Sequence, residues 1–368
     1  MTNKTTQPPI QTQGPTTPPT TTAAAKETTF RSFSRAQGAS YAQHRLDYHP
    51  RLYQLVLDHH NATGGRLDTL LDVGCGPGTA VRTLAPHFAH ALGIDPSEGM
   101  IATARSLGGY CCSGSGSTPE KKEPIRFEVS TVEELEMGIS RDGTGIQEGS
   151  VDLLVAATAA HWFDMSVFWP LAARLLRPGG TVALWTGGRI LVDADQRCGS
   201  VPNNNAKAIQ VALDRFDAAV DEYFLPGNRM VSNLYADLQL PWMLERPVAE
   251  FERDGFVRKL WDNGTTSSGG GTEDGEKGEG YIKEFYTGDQ KGADVEVLVK
   301  ILATTSPYIR WREANADAVD TDKDPLQVMR REIELALEQG GVGGGKRLVK
   351  GGVAGVLLMV KKRAQAAE

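Results

Sequence analysis

The fold is decided by residues 70–79, LLDVGCGPGT, which pass from an apolar run through a glycine-rich turn into a helical pattern. The glycines at Gly74, Gly76 and Gly78 let the backbone turn tightly and approach a ligand without a Cβ atom in the way. A helix that begins near Thr79 would aim its free N–H groups at that ligand. The stretch therefore predicts a strand, a ligand-binding turn and a helix in succession.

The spacing of the glycines separates this turn from a dinucleotide-binding turn. A dinucleotide fingerprint has the form G-x-G-x-x-G, and its last position would be Thr79 here. Asp72 stands two residues before Gly74, where a carboxylate would repel phosphates but suits an ammonium group, such as the α-amino group of S-adenosylmethionine. Asp95 ends the next predicted strand, where a carboxylate can accept hydrogen bonds from two ribose hydroxyls. The two acids favour S-adenosylmethionine over a nicotinamide dinucleotide.

Strand-like and helix-like patterns alternate on both sides of this turn. Apolar strands are predicted at residues 69–73, 89–94, 125–129, 151–157 and 180–185, with helices between most of them. Strands separated by helices of about ten residues are typical of a parallel sheet with helices on both faces. The predicted fold class is therefore α/β, a Rossmann-like, doubly wound and mostly parallel sheet with helical cap additions.

The rest of the chain divides into a tail, a cap and insertions. Residues 1–30 contain eleven Thr and five Pro, and they are predicted to be a disordered tail because they have little apolar surface to bury. Residues 31–368 are predicted to be one domain. Its parts are a cofactor-binding core at about 66–185, a helical substrate cap at about 190–345 with a flexible insertion at 263–280, and a closing strand at about 353–360.

Charge, cysteine usage and hydropathy narrow the class of protein. The net charge of −7 argues against a surface that coats nucleic acid or an anionic membrane. The four cysteines form no C-x-x-C pair, which argues against a zinc site or a disulfide framework. No apolar run approaches the roughly 18 residues that span a bilayer, and no hydrophobic signal segment is present. We expect a cytoplasmic protein with a small-molecule substrate, without metal, nucleic-acid or membrane partners, and the oligomeric state stays open.

Asp72, the glycine turn and Asp95 together resemble the class I S-adenosylmethionine-dependent methyltransferases over residues 66–185. Three further segments extend the resemblance to nearly the whole chain apart from the tail and insertions, and they are similar to the trans-aconitate methyltransferase-like group common in fungi. These segments are Tyr41-x-x-x-Arg45-x-x-Tyr48, AAHWFD at 159–164 and TSPYIRW at 305–311. Leu46, where the relatives usually carry Pro, and the pair Thr304-Thr305, where they often carry an aromatic residue, depart from the group and leave the substrate wall open.

The resemblance implies a cofactor site at the carboxyl ends of the strands. The residues that would form it are Tyr41, Asp72, Gly74, Cys75, Gly76, Asp95, Pro96, Met100, Thr131, Val132 and Ala157. Two of these have a structural alternative. Met100 equally fits a helix residue in the core, and the acids that follow Thr131 equally fit the first turn of a solvent-exposed helix.

His161 and Trp162 follow the fourth predicted strand, where the methyl group should emerge. His161 is the candidate catalytic residue, as a general base or hydrogen-bond donor, and a buried structural histidine is the alternative. Trp162 would shape the pocket. The candidates to bind an anionic substrate are Arg45, Arg189 and Arg310, each of which could equally be an ordinary surface residue. Arg45 would also share one helix face with two tyrosines, as part of a lid.

The predicted function is methyl transfer from S-adenosylmethionine to a small molecule. An aconitate-like carboxylic acid is the first acceptor we consider, since a carboxylate is already ionised and needs only arginines to orient it. A neutral hydroxylated metabolite is the alternative, and its hydroxyl would require a base, for which His161 is the best-placed residue. A protein of the same fold that binds the cofactor without turnover is a third possibility.

Overall fold

The computed structural model describes residues 28–45, 47–112, 122–138, 146–192, 203–261, 293–339, 348–349 and 351–364. The predicted insertion at 263–280, most of the predicted tail, Leu46 and Cys198 lie outside the described residues.

A seven-stranded sheet forms the centre of the molecule, in the order β3-β2-β1-β4-β5-β7-β6. The strands are β1 (Thr69–Val73), β2 (His90–Asp95), β3 (Arg126–Val129), β4 (Val151–Ala157), β5 (Leu176–Val192), β6 (Phe251–Trp261) and β7 (Gly351–Lys362). β1 to β5 pair in parallel, whereas β7 is antiparallel to both of its neighbours. The doubly wound, mostly parallel sheet is confirmed. The strand order reverses between β1 and β4, and ligands bind beyond the carboxyl ends of strands at such a point.

Helices cover the sheet and extend the chain beyond it. They are α1 (Arg35–His44), α2 (Pro50–Ala62), α3 (Thr79–Leu84), α4 (Glu98–Leu107), α5 (Val132–Gly138), α6 (Met165–Leu175), α7 (Asn203–Ala219), α8 (Pro226–Ser232), α9 (Val295–Leu302), α10 (Ser306–Ala314) and α11 (Pro325–Gln339). Several begin at a side-chain cap, which satisfies backbone N–H groups that the helix leaves unpaired. Ser97 accepts from the Met100 amide at the start of α4, and Asp164 accepts from the Ser166 amide at the start of α6.

Two apolar layers enclose the sheet because successive strand residues face opposite sides. Leu71 belongs to the layer that contains Trp169 of α6, and Leu70 belongs to the layer that contains Leu84 of α3. A third cluster joins α7, α9 and α11 and forms the core of the predicted cap. The cap therefore has its own apolar core beside the sheet.

The range predicted as a helical cap contains a strand that the sequence analysis missed. β6 pairs with β7 at the edge of the sheet, and the pairing register shifts between Glu252 and Val257. An edge strand exposes much of its surface and tolerates charged residues. The charged residues that follow Phe251 therefore interrupt the apolar pattern by which a strand is predicted. β5 also continues seven residues beyond Trp185, because β7 pairs with it as far as Val192.

The last residues of the predicted tail are packed against the domain. Thr29 is only 7% exposed, and its hydroxyl accepts a hydrogen bond from Arg310 at 2.9 Å. The ring of Phe30 lies edge-on to those of Phe33 and Tyr41. Thr29 and Phe30, which fall in the predicted tail, are therefore part of the packed domain.

We expect removal of residues 1–27 to leave the melting temperature unchanged, because their composition offers little apolar surface. Removal of residues 1–33 should lower it by at least about 4 °C, since a buried Phe side chain contributes about 2 kcal/mol. Thermal unfolding of the two truncated proteins beside the full chain measures the difference. An equal fall in the melting temperature of the two truncated proteins would show that the first 27 residues also pack against the domain.

Candidate cofactor site and acceptor cavity

The turn between β1 and α3 is left-handed at each of its three glycines. The φ angles are +69° at Gly74, +54° at Gly76 and +85° at Gly78, which is backbone that other residues adopt only with strain. A Cβ atom on Gly74 would lie 2.6 Å from that of Ala159, so the turn packs directly against the segment after β4. A Cβ atom on Gly76 would meet nothing within 4 Å. The space beside Gly76 is therefore open to a ligand.

Asp95 connects this turn to the next one. Its Oδ2 accepts from the Gly76 amide at 2.9 Å, and its Oδ1 accepts from the Ser97 amide at 2.8 Å. Burial raises the pKa of Asp95 to about 6, although both amides act against the rise. Each carboxylate oxygen has further lone pairs, so Asp95 can accept two ligand hydroxyls while it holds the two turns together.

Asp72 is a buried carboxylate without a hydrogen bond. Its side chain is fully buried, and neither oxygen accepts a hydrogen bond of normal geometry from a described residue, although the Val81 amide is close enough to act on its pKa. Burial raises the pKa of Asp72 to about 7; the Val81 amide acts against this rise and the charge of Asp95 adds to it. Buried polar groups are almost always satisfied, so an orphaned carboxylate beside an open turn suits a cationic ligand group. Asp72, Gly76 and Asp95 therefore fit the ammonium and ribose groups of S-adenosylmethionine.

Asp72→Asn should raise the melting temperature of the ligand-free protein at pH 8. Because the pKa near 7 in the fold exceeds the value of about 3.9 in an unfolded chain, ionisation of Asp72 opposes folding. This penalty is complete above pH 7 and shrinks as the pH falls toward 4. In thermal unfolding, the melting temperature of Asp72→Asn should therefore exceed that of the wild type by several degrees at pH 8 and by little at pH 4.5. A variant less stable than the wild type at pH 8 would contradict an unpaired carboxylate.

The N-terminal segment lies directly on the start of α4, next to Asp95. A Cβ atom on Gly99 would lie 2.1 Å from the Phe33 carbonyl oxygen, and one on Gly38 would lie 2.6 Å from that of Gly99. Met100 in the same turn is only 3% exposed, as its structural alternative requires. Pro96, between Asp95 and the cap of α4, is half-buried.

The polar groups of Thr131 are used within the protein. Its amide donates to Glu134 Oε2 at 2.9 Å, and its hydroxyl accepts from the Glu134 amide at 3.0 Å. This reciprocal pair is a capping box, so the acids after Thr131 do form the first turn of a helix. Val132 and Cys75 are buried in the two apolar layers. The roles of these three residues toward a cofactor stay predictions.

A cavity of about 470 Å³ lies beyond the carboxyl end of β4 and along the second half of β5. Its walls come from the N-terminal segment, β5, the cap helices and the connection between α9 and α10. Most of its lining is aromatic or aliphatic: Phe30, Tyr41, Tyr48, Leu52, Trp162, Trp185, Ile190, Leu213, Phe216, Val220, Phe224, Val231, Trp261, Ile301, Leu302, Pro307 and Val353. This size and composition are typical of a small-molecule site.

The charged residues that line the cavity are balanced in sign. Among the described residues they are Arg45, Arg189, Asp47 and Asp217. Arg189 is already paired, since it donates to Asp214 Oδ1 at 2.6 Å and lies 3.9 Å from Asp217 Oδ2. Asp47 accepts from its neighbour's amide and from a tyrosine hydroxyl. The described wall therefore has no net formal charge.

The predicted helical spacing of Tyr41, Arg45 and Tyr48 is wrong, because α1 ends at His44 and Arg45 is already extended. All three nevertheless line the cavity. The Arg45 guanidinium lies 5.8 Å from the centre of the Tyr41 ring and donates to Thr304 Oγ1 at 3.5 Å. The three side chains therefore meet at the cavity without sharing one helix face.

Arg310 lies away from the described cavity wall. Its three donor groups contact the Tyr223 carbonyl at 2.9 Å, Thr29 Oγ1 at 2.9 Å and Asn228 Oδ1 at 2.6 Å. Arg310 therefore holds the N-terminal segment to the cap, and the prediction that it binds substrate is not supported by its position.

Thr158 follows Ala157 at the end of β4 and has a left-handed backbone. Its φ of +54° is unfavourable for a β-branched residue, with a cost of about 1–3 kcal/mol. Its amide donates to the Trp185 carbonyl at 2.7 Å, and its hydroxyl accepts from Tyr48 at 3.0 Å. These two bonds hold the strained residue in the cavity wall.

His161 lies on the cavity wall in the short helical turn after Thr158. Its Nδ1 is 3.0 Å from the Tyr235 hydroxyl, and its ring centre is 4.6 Å from that of Trp162. Burial, and then the charge of Arg45, lower the pKa of His161 to about 3. The imidazole is therefore neutral near pH 7 and has a ring nitrogen that can accept a proton.

Sequence reasoning missed two cavity or near-cavity groups. Asp217 lies on α7 in the apolar stripe of Leu213 and Phe216, and Val220 continues the stripe just after the helix ends. An acid on an apolar helix face was therefore its available signal. Tyr235 had none, because it stands in a non-repetitive turn with no motif around it.

Two further findings concern the described residues. No group of three or more His, Cys, Asp or Glu side chains among them could hold a metal ion. No helix that the structure describes has the length and apolar character needed to cross a membrane.

Comparison with known proteins agrees with this geometry. A family model described as a methyltransferase domain matches residues 71–184. A Dictyostelium discoideum protein named as a methyltransferase is 27% identical over 54% of this chain and 62% of its own length. A trans-aconitate 2-methyltransferase of Variovorax paradoxus is 28% identical over 38% of this chain and 49% of its own length. A solved Anaeromyxobacter dehalogenans structure described as a type II methyltransferase covers 87% of this chain and 97% of its own, at 20% identity and a TM-score of 0.48.

The chain spans less than two thirds of the length of these two curated relatives. The family model covers the glycine turn, Asp95 and the end of β4. Residues 71–184 of this chain thus form a methyltransferase domain of class I, the class whose cofactor is S-adenosylmethionine.

Proposed function

We propose that the protein transfers a methyl group from S-adenosylmethionine to a hydroxyl oxygen of a small molecule with an apolar body. The observation that carries this proposal is the acceptor cavity, which has apolar walls, balanced charges and the neutral His161 imidazole on its wall. The cavity and the open glycine turn adjoin, because Gly74 packs against Ala159 just before His161.

The residues proposed to hold the cofactor are Asp72, Gly76 and Asp95. Asp72 would meet the ammonium group, and Asp95 would accept from the ribose hydroxyls while it holds the Gly76 amide. The cofactor supplies a methyl group on a positively charged sulfur, ready for in-line displacement. The protein must then align the acceptor oxygen and exclude water, and the apolar walls of the cavity would serve to exclude water.

A hydroxyl acceptor must lose its proton as its oxygen is methylated. His161 lines the cavity and its imidazole is neutral, so it can accept that proton, although burial and the charge of Arg45 lower its pKa to about 3 and make it a weak base in the ligand-free protein. A positioned general base contributes about 10²–10⁴-fold to such a rate. Trp162 packs on the imidazole and, through its other contact with Gly227 of α8, helps to keep the ring in place.

The charges of the cavity favour a neutral or singly charged acceptor over a polycarboxylate. Each carboxylate of an aconitate-like acid needs a cationic partner, yet Arg189 is already paired with two aspartates. Asp47 and Asp217 would repel a polyanion. A carboxylic acid is the second candidate acceptor, supported by Arg45 in the cavity wall and by the similarity to a trans-aconitate 2-methyltransferase.

An acceptor panel tests the proposal. The full-length protein is assayed with phenols, aliphatic alcohols, and mono-, di- and tricarboxylic acids, and formation of S-adenosylhomocysteine is measured. We expect kcat/KM for apolar hydroxylated acceptors to exceed that for the acids by at least tenfold, which is about 1.4 kcal/mol, and Arg45→Lys to change it less than threefold. The reverse ranking, with a raised KM for acids in Arg45→Lys, would favour the second candidate. Cofactor binding without turnover of any acceptor would leave only a binding protein.

A further inference from the structure

We propose that Tyr235 is a positioning residue of this site. Its phenol oxygen accepts a hydrogen bond from the protonated Nδ1 of His161, so that Nε2 carries no proton and faces the acceptor cavity. This inference rests on the proposed function, in which His161 acts as the base. It concerns the tautomer of the resting protein, which can be measured without an acceptor.

The geometry of the pair brings the two groups into hydrogen-bond contact and leaves Nε2 toward the cavity. The Tyr235 hydroxyl lies 3.0 Å from His161 Nδ1, and the two ring centres are 5.9 Å apart. Tyr235 is 1% exposed, whereas His161 lines the cavity. Among the described residues, His161 Nε2 has no hydrogen-bond partner, and it is not sealed from solvent. The edge of the ring that carries Nε2 is therefore the one presented to the cavity.

A strained turn after α8 places Tyr235 beneath His161. The Leu234 amide donates to the Val231 carbonyl at 2.9 Å, and the Tyr235 amide donates to the Met230 carbonyl at 3.0 Å. These two bonds form a Schellman motif, in which the residue after the helix cap is usually Gly. Leu234 and Tyr235 instead have φ angles of +50° and +56°. Two successive non-glycine residues keep this conformation only where the surroundings enforce it.

Arg258 of β6 provides that enforcement. Its guanidinium donates to the Leu234 carbonyl at 2.6 Å and to the Tyr235 carbonyl at 3.2 Å. Both carbonyls belong to the strained turn, so an edge strand of the main sheet clamps the backbone that carries the Tyr235 ring. The position of Tyr235 is thus set by the sheet and not only by its own helix.

The hydrogen-bond chain from Tyr235 can be traced through the Thr186 hydroxyl to the Gly187 carbonyl, which can only accept. The Thr186 hydroxyl donates to the Gly187 carbonyl at 3.4 Å. The Thr186 hydroxyl and the backbone amides of Ala160 and His161 are close enough to the Tyr235 phenol to act on its pKa, which burial nevertheless raises, so the phenol keeps its proton. Because the Thr186 O–H points to the Gly187 carbonyl, the Thr186 oxygen can accept a hydrogen bond from the Tyr235 O–H. The Tyr235 oxygen can then accept one from the N–H at His161 Nδ1. A base with Nδ1 protonated has its lone pair on Nε2.

The tautomer is measured by nitrogen-15 NMR on the full chain labelled at its histidine rings, at pH 7.5 and without acceptor. The His161 signals are assigned by their loss in His161→Gln. We expect the Nδ1–H tautomer in the wild type and a mixture with the Nε2–H form in Tyr235→Phe. The control is Tyr308→Phe, since Tyr308 is also buried but its hydroxyl contacts Asp324 in the cap. An Nε2–H tautomer in the wild type would overturn the inference, whether or not the protein turns over any acceptor.

Kinetics give the second measurement. With a hydroxylated acceptor, Tyr235→Phe should lower kcat about tenfold and leave the acceptor KM and the cofactor Kd within twofold. An unchanged kcat would overturn the positioning role. Equal losses of kcat in Tyr308→Phe would also overturn it, because they would show that removal of any buried phenol hydroxyl has this effect. Arg258→Lys keeps the charge but not the two-pronged contact, and we expect it to reproduce the tautomer mixture in part.

Discussion

Replacement of His161 by alanine should lower kcat for a hydroxylated acceptor by roughly 10²-fold or more, as loss of a general base does. The neutral imidazole on the cavity wall is the described group best placed to take the hydroxyl proton. Cofactor affinity should hardly change, because Asp72 and Asp95 lie at the neighbouring turn. Steady-state kinetics and calorimetric cofactor binding on the same preparations measure the two effects.

The acceptor class decides how that result is interpreted. His161→Ala should barely affect a carboxylate acceptor, which is ionised near neutral pH and needs no base. His161→Gln is the matched variant, because it retains a polar side chain but cannot act as a base. If kcat falls in His161→Ala but not in His161→Gln, His161 positions the acceptor by hydrogen bonding. That result would contradict its role as a base.

Asp95→Ala should weaken S-adenosylmethionine binding at least tenfold. A hydrogen bond to a charged group contributes about 1.5–3 kcal/mol, and about 1.4 kcal/mol corresponds to a factor of ten. The variant would also release the Gly76 and Ser97 amides, which the carboxylate holds in the two turns. Calorimetry that finds an unchanged affinity would contradict the assignment of the cofactor site.

Asp152→Asn is a suitable control for this experiment. Asp152 is also a buried aspartate that accepts from a backbone amide, that of Thr69 at the opposite end of β1, and it pairs with Arg177. Its replacement should cost stability and leave cofactor affinity unchanged. The comparison separates loss of a cofactor contact from general damage to the sheet.

The affinity should also depend on pH through Asp95. Its pKa of about 6 in the free protein means that the carboxylate is ionised above pH 6 and protonated below it. Because the proposed contacts need both Asp95 and Asp72 ionised, and the pKa of Asp72 is about 7, the Kd should level off only above about pH 8 and rise through Asp72 below pH 7. Below pH 6, Asp95 should add a further rise of about tenfold for each pH unit. Asp95→Asn should lose the rise below pH 6, whereas the control Asp152→Asn should keep it. An Asp95→Asn variant that keeps the rise would point to another group.

Much of the sheet and of the cofactor turn could be predicted because their signals are local. The apolar run at 69–73, the glycines of residues 74–78 and Asp95 are adjacent to the elements they specify. Left-handed backbone at the three glycines is a property of the residues themselves. The alternation of strands and helices then leaves few topologies, because parallel strands need crossovers of one hand.

Other features depend on contacts between distant segments. β6 carries charged residues and exists because β7 offers it an edge to pair with. Arg310 and Arg45 look alike in sequence, yet one holds Thr29 to the cap and the other lines the cavity. Tyr235 meets His161 from 74 residues away. Residue type and spacing determine which local structures form. Which side chains share the cavity is decided by the packing of the cap and the edge strand on the sheet. Those contacts join segments that are far apart in the chain, and no local sequence pattern specifies them.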